Sequence, residues 1–393
     1  TDWSAPPPWA VFTALNGVQG FFQGIANALK PPPIAMMDLA FGFPVAQILY
    51  AAAKLDIADT LVERPKTAAQ IADVVGADAG RVERLLNACM GYGVFALDPS
   101  DPTKSRYVNS ELSSTFRSDH PHKMKEMFLH LTEDSYDAWG YVYDAVKDAS
   151  ITPFMHKSRQ NAITQQELGR EDTNLWDWYG IRPENEANFQ AAMTTLDSLG
   201  ADAMAEDCIP LQTAKRVVDI GTSQGHFALR ILQKYPHLTA VGMDLPRVVA
   251  SIDENLKKLP KESQEAVSRF QWHGGSFFNA EDFPAFEDGD HIVMRYILHD
   301  WSDEDSIVIL KNIRQAIGDK KVTLLIGESD IQDDPTPDGM AIRRIVDLHM
   351  MVFFNAGDRS PSQWKVLFDQ TGWKMVNHYP TRSIVGWTEA IPN

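Results

Sequence analysis

The amino-acid sequence predicts an α/β chain in which two architectures follow one another. A helical front half contains a winged-helix-like module, and a Rossmann-like doubly wound sheet closed by an antiparallel hairpin follows that half. Three observations predict this. From Thr213 onward strand-like apolar runs alternate with helical periodicities, the pattern of a parallel sheet covered on both faces. The last two runs, WKMVNHYP from Trp373 and SIVGWTEA from Ser383, have almost nothing between them and so pair as a hairpin. Between Ile34 and Ser118 three short helical patterns precede FALDPSDPTKSRYVNS, a strand, a turn rich in Asp and Pro, and a second strand.

Taken in order, residues 1–33 form an arm. Its stretch Ala10–Leu29 carries no charge, and Val11, Leu15, Val18, Phe22, Ile25 and Leu29 recur at helical spacing. Asn16, Gln19, Gln23 and Asn27 make it a poor membrane span, so its apolar face is expected to dock on protein, a second subunit first of all. Triple-proline runs at Pro6–Pro8 and Pro31–Pro33 set it apart. Residues 34–118 are the winged-helix-like domain, and residues 119–203 a helical linker rich in aromatics, most of them expected in the core. Residues 204–393 hold the sheet, with strands at RVVDI, TAVGM, FQWHG, HIVMRYIL and KVTLLIGE.

Composition excludes several roles. The chain has 36 basic against 53 acidic residues, a net charge of −17, which repels phosphate backbones. The third winged-helix helix offers only Arg81 and Arg84, so nucleic acid is not an expected partner. Cys89 and Cys208 are too few for a disulfide framework and point to a reducing, cytoplasmic compartment, or an organelle if a leader preceded Thr1.

The motif with chemical content is VVDIGTSQGHFALRILQKYPHLTAVGMDLP, from Val217 to Pro246. A strand delivers the chain to Gly221 and Gly225, where backbone can pass close to a ligand, and a second strand ends at Asp244, placed to accept both hydroxyls of a ribose. The turn lacks the G-x-G-x-x-G arrangement that seats a pyrophosphate. With the terminal hairpin, this favours S-adenosylmethionine over a dinucleotide.

LDIADTL, RVERLLNA and YVNS in the front half, then VVDIG, DLPRVV, GGSFF, YILHDWSDEDSIVILKNI, GES and GDRS, resemble the small-molecule O-methyltransferases that include the caffeate and acetylserotonin enzymes. The resemblance implies a homodimer with a helical dimerisation domain. It implies cofactor contacts at Gly221, Gly225, Asp244, Leu245, Ser276, Phe277 and Arg295, a general base at His299 with Glu328 orienting it and Asp300 beside it, and acceptor contacts at Phe189 and Met193. Three positions depart from the family pattern. Thr222 and Ser223 replace glycines and are expected to narrow the cofactor turn; Ser276 replaces a frequent Asp; Pro361 falls where a second supporting Glu is common, leaving Glu328 as the single support of His299.

Methyl transfer from a sulfonium to a phenol near pKa 10 leaves a proton, and taking it in advance onto an imidazole near 6.5 is uphill by about 5 kcal/mol. His299 is therefore expected to accept it as the methyl moves, with no metal; the acids Asp303, Glu304 and Asp305 read as a helix start after Ser302. One alternative is S-methylation of a thioether acid such as 4-methylthio-2-hydroxybutyrate, which needs no base. Tyr136, Trp139 and Tyr141 would then face the new cation, and Arg295 or Arg359 the carboxylate. A second alternative is a non-methylating, lyase-like or pericyclic catalyst on the same fold.

Overall fold

A computed structural model describes residues 6–122, 124–250, 252, 261–334 and 341–393. The chain forms two compact units. One gathers the chain up to Gly20, Asp144–Thr152 and Asp197–Asn393; the other comprises Phe21–Tyr143 and Pro153–Leu196.

The first unit is built on seven strands. β4 (Arg216–Ile220), β5 (Thr239–Asp244), β6 (Phe270–Gly274), β7 (His291–Arg295) and β8 (Thr323–Ser329) run parallel, while β9 (Trp373–Pro380) and β10 (Val385–Pro392) form the expected antiparallel hairpin. Their spatial order is β6-β5-β4-β7-β8-β10-β9, with β10 antiparallel to β8. Consecutive residues feed opposite faces. Val217, Val293 and Leu325 pack with Phe227 and Trp387 on one side, whereas Val218, Met294 and Ile326 pack with Ile309 and Trp364 on the other. Burial of both faces explains why these strands read as continuous apolar runs. The order turns back between β4 and β7, where Ile220 is level with Met294, and this switch point is where a parallel sheet opens a crevice.

One strand is shorter than its sequence suggests. The run HIVMRYIL leaves the sheet after Arg295, because Tyr296 takes a left-handed φ of 55° and the chain turns into a single 3-10 turn at Leu298–Asp300. A bulky residue there is strained.

The second unit contains the helices Gly42–Lys54, Ala68–Val75 and Ala79–Met90 around a core of Ile57, Ile71 and Leu86. Their ends follow local chemistry: Thr67 and Gln70 make a reciprocal cap, Gly76 closes the same helix at a φ of 68°, and Asp78 accepts the Arg81 N–H. β2 (Ala96–Leu97) and β3 (Arg106–Val108) pair antiparallel, and a strand the sequence does not announce, β1 (Lys66–Thr67), makes the sheet three-stranded. The aromatic middle is less uniformly core than its composition suggests. Trp178 and Tyr179 are buried, but Tyr136, Tyr143 and Trp176 are exposed.

The arm is a helix from Trp9 to Leu29 with no buried residue. Its start is fastened to the first unit by Arg382, whose Nη1 donates to the carbonyl of Pro7 at 2.8 Å while Nε and Nη2 engage Asp207 and Glu206. Trp9 donates its indole N–H to the same Asp207, at 3.1 Å. Among the described residues, the stretch long and apolar enough to cross a membrane is Pro32–Lys54, not Ala10–Leu29; it is two helices that meet at Phe41, and the second buries Ala52 and Ala53.

Candidate active site

The turn after β4 is shaped by what cannot fit there. Gly221 has a φ of 77°, and a Cβ on it would overlap Ile297. Gly225, at 73°, opens the helix His226–Lys234 where a Cβ would overlap Trp272 and Phe270. The turn is therefore a close backbone cradle that only glycine permits. Thr222 does not narrow it: its side chain is buried and its hydroxyl donates to Asp219 at 2.7 Å. Ser223 takes the left-handed conformation itself, at a φ of 50°, and its N–H is held by Asp244 at 2.8 Å.

Asp244 ends β5 with its other oxygen accepting the Leu245 N–H, so each carboxylate oxygen keeps a lone pair for a hydroxyl. Burial raises its pKa, partly opposed by those two N–H groups and Arg247. After β6, Gly275 packs so tightly that a Cβ would overlap the Asp282 carbonyl. Ser276 donates its N–H to Asp282 at 3.0 Å, and Phe277 sets its ring edge-on to Trp301. Arg295, at the end of β7, lies over the rings of Phe227 and Tyr296, 4.5 and 5.1 Å from their centroids.

His299 sits on the 3-10 turn that the break at Tyr296 creates, its ring stacked on Tyr296 at 5.6 Å. It is buried, and both ring nitrogens face carboxylates. Nδ1 is 3.3 Å from Glu328 Oε2 and 3.3 Å from Asp358 Oδ1, while Nε2 is 3.4 Å from Asp300 Oδ1. Burial by itself would push the imidazole down, but Glu328, Asp300 and Asp358 together outweigh it and raise it to about 10. Burial raises Glu328, and burial with Asp358 raises Asp300 to about 6 against the pull of His299. Glu328 also ties the turn to β8, since its Oε1 accepts the N–H groups of Ile297 and Leu298 at 3.2 and 3.0 Å.

Here the structure corrects the sequence reading. His299 is not left to Glu328 alone, and Pro361 is not the position that matters: it is the first residue of the helix Pro361–Thr371, where a missing N–H costs nothing. The second support is Asp358, fixed by N–H donation from Ser329 at 3.2 Å and by its own N–H donated to Asp347 at 3.0 Å. Arg359 beside it is buried and spends its guanidinium on the same loop, donating to the carbonyls of Leu298 and Trp301 and to Asp303 at 2.8–2.9 Å. It is thus committed to the protein rather than available to an acceptor carboxylate. The sequence reading gives Asp358 no role. The ligand atoms of His299, Glu328 and Asp358 lie within 4.8 Å of one another, a spacing a metal ion could use; a proton on Nδ1 directed at the two carboxylates fills the same space.

The candidate acceptor residues lie in the second unit. Phe189 stacks on Tyr179 at 5.0 Å and meets His130 and Trp176 edge-on, with Met193 one turn further along the helix Pro183–Asp207. Tyr136 and Trp139 are three residues apart near the end of the helix Met124–Trp139, Tyr136 exposed and Trp139 half-buried, and Tyr141 follows in the next turn.

Residues 143–374 match the profile of the O-methyltransferase domain, and residues 37–119 that of the O-methyltransferase dimerisation domain. The chain belongs to the O-methyltransferase family. Among its relatives, phenazine O-methyltransferase of Lysobacter antibioticus is 29% identical over 91% of this chain and 95% of its own length. The 8-amino-8-demethylriboflavin N,N-dimethyltransferase of Streptomyces davaonensis is 28% identical over 86% of this chain and 90% of its own. The crystal structure of LaPhzM superposes with a TM-score of 0.78 at 28% identity, covering 93% of this chain and all of that one. Human N-acetylserotonin methyltransferase, solved with S-adenosylmethionine, shares the fold at a TM-score of 0.75 and 22% identity. This family member is an S-adenosylmethionine-dependent methyltransferase of the class that methylates oxygen or nitrogen.

Proposed function

We propose that the chain O-methylates a small hydroxylated, aromatic metabolite with His299 as general base. The observation that supports it is the position of His299 at the switch point: Gly221 abuts Ile297, two residues before His299, so the glycine turn and the His299 turn are immediate neighbours. The cradle fits the cofactor, because it excludes any Cβ at Gly221 and Gly225 and offers Asp244 for a ribose, with Ser276 and Phe277 toward the base and Arg295 at the end of β7. When bound, S-adenosylmethionine supplies an electrophilic methyl on a cationic sulfur. The protein's part is placement and proton handling. Glu328 and Asp358 hold the Nδ1 proton and fix the ring; Nε2 receives the acceptor's proton as the methyl is taken; Asp300, partly open to solvent, lies next to Nε2 to pass it on. The unit of function is a homodimer, supported by the dimerisation profile and by the exposed apolar side chains of the arm, Leu15, Val18, Phe21 and Phe22 among them.

Turnover of a panel of phenols, catechols, hydroxyindoles, aromatic amines and 4-methylthio-2-hydroxybutyrate tests the proposal. A hydroxyl acceptor whose turnover falls about 100-fold or more in His299→Ala supports it. Turnover of the amine or the thioether alone, surviving that substitution, would overturn it. The S-methyl alternative is weakened by Arg359, whose guanidinium is spent on the His299 loop.

A further inference from the structure

A neutral imidazole has one N–H and one lone pair. In this chain both nitrogens of His299 face carboxylate oxygens, at 3.3 Å on the Nδ1 side and 3.4 Å on the Nε2 side. Whichever tautomer is drawn, one lone pair is aimed at an anion. With the facing carboxylates ionised, it is the doubly protonated ring that satisfies both sides. Such a ring has no lone pair with which to take a proton from an acceptor, so the general-base reading needs an event that strips Nε2.

We propose that this event is occupation of the cofactor crevice: His299 carries protons on both nitrogens in the cofactor-free protein, and the arrival of a cation beside the turn releases the Nε2 proton through Asp300 to solvent. The inference rests on the proposed role of His299 and deepens it.

The groups facing the ring define the charge balance. From its own turn comes Asp300, with the Tyr296 ring below; from β8, Glu328; from the segment before the last helix, Asp358 and, engaged with the loop carbonyls, Arg359; behind Asp358, Asp347 of the helix Ala341–Phe354. Asp300, Glu328 and Asp358 lie next to the ring with Asp347 behind them, and Arg359 is itself paired with Asp303, so even the imidazolium leaves the cluster net negative. A cation in the crevice offsets part of that excess and takes over the reason for holding the second proton. The buried carboxylate atoms Glu328 Oε2 and Asp358 Oδ2 lack hydrogen-bond partners, as expected of oxygens whose compensation is a neighbouring charge. Nδ1, between two carboxylates, keeps its proton; Nε2, against Asp300 alone, is the one to lose it. Asp300 has 20% of its side chain exposed, against 3% for Glu328 and none for Asp358, so the released proton has its exit there.

The test compares S-adenosylmethionine with S-adenosylhomocysteine, which lacks the methyl and the positive charge, in the absence of any acceptor. Calorimetric titrations in two buffers of different ionisation enthalpy count the protons. Near pH 8 the wild-type protein is expected to release about one more proton with the methionine form, and the affinity ratio of the two ligands to rise towards tenfold per pH unit. In His299→Gln the difference disappears. Imidazole 15N shifts in the wild-type protein give an independent readout, doubly protonated when free and singly protonated with S-adenosylmethionine. Equal proton release for both ligands, a difference that persists in His299→Gln, or a neutral ring in the free protein overturns the inference. Because no acceptor is present, a failed acceptor panel leaves this result standing, and a failed proton count leaves the panel standing.

Discussion

Two histidines are buried among the described residues, and their surroundings send them in opposite directions. His130, in the helical unit, lies against the Phe189 ring at 5.3 Å and the Tyr179 hydroxyl at 3.4 Å; burial drives its pKa down to about 4, so it is neutral at any ordinary pH. His299 is as deeply buried, yet three carboxylates turn the same desolvation into a rise to about 10. Burial alone therefore says nothing about an imidazole's charge. The partners decide, and they decide which of the two can exchange a proton.

The comparison can be broken most severely at its chemical end. His299→Gln keeps the size and one N–H but not the titrating ring, and kcat on a hydroxyl acceptor is expected to fall by about 100-fold or more, while His130→Gln leaves the pH profile of kcat in place. Steady-state kinetics across pH for both variants make the check. Next comes the clamp: Arg359→Leu removes three hydrogen bonds from the loop and leaves two carbonyls facing an apolar side chain. A loss of about 3 kcal/mol of stability is expected by denaturant unfolding, together with a lower kcat.

The pH dependence of stability sharpens the contrast further, because the two rings act with opposite sign. A folded pKa near 10 against 6.5 unfolded means that the contribution of His299 is complete below pH 6.5 and is lost as pH rises through about 10. A folded pKa near 4 means that the contribution of His130 is complete above pH 6.5 and is lost as pH falls towards 4. Melting curves of the cofactor-free protein should show His299→Gln flattening the alkaline limb and His130→Phe the acid limb. The smallest effect is expected at the cofactor turn, where Thr222→Val removes one hydroxyl bond to buried Asp219 and should cost about 1–2 kcal/mol by the same unfolding measurement.

The parts of the site that were legible in the sequence are those a strand and its turn bring together over short range. Val217 to Asp244 contains strand, cradle and carboxylate in one run, and their roles follow from backbone geometry that only glycine allows. Asp358 was not legible in that way. It lies 59 residues from His299, and only the folded sheet brings it to the ring. Arg359 was misjudged for the same reason, since its burial depends on three acceptors in a distant loop. The overextended β7 has a different cause: Met294, Tyr296 and Ile297 suit a strand by propensity, and the break at Tyr296 comes from tertiary demand rather than any local signal. β1 escaped notice because two residues carry no periodicity.

The Arg382 fastening has a consequence in time. Pro6 and the guanidinium that holds its carbonyl are 376 residues apart, so during synthesis the arm emerges long before its anchor. At about 5–20 residues per second, that interval is on the order of 20–75 s. Through all of it the uncharged helix Trp9–Leu29 stands without its tether, free to meet another chain emerging from the same message before it can settle on its own.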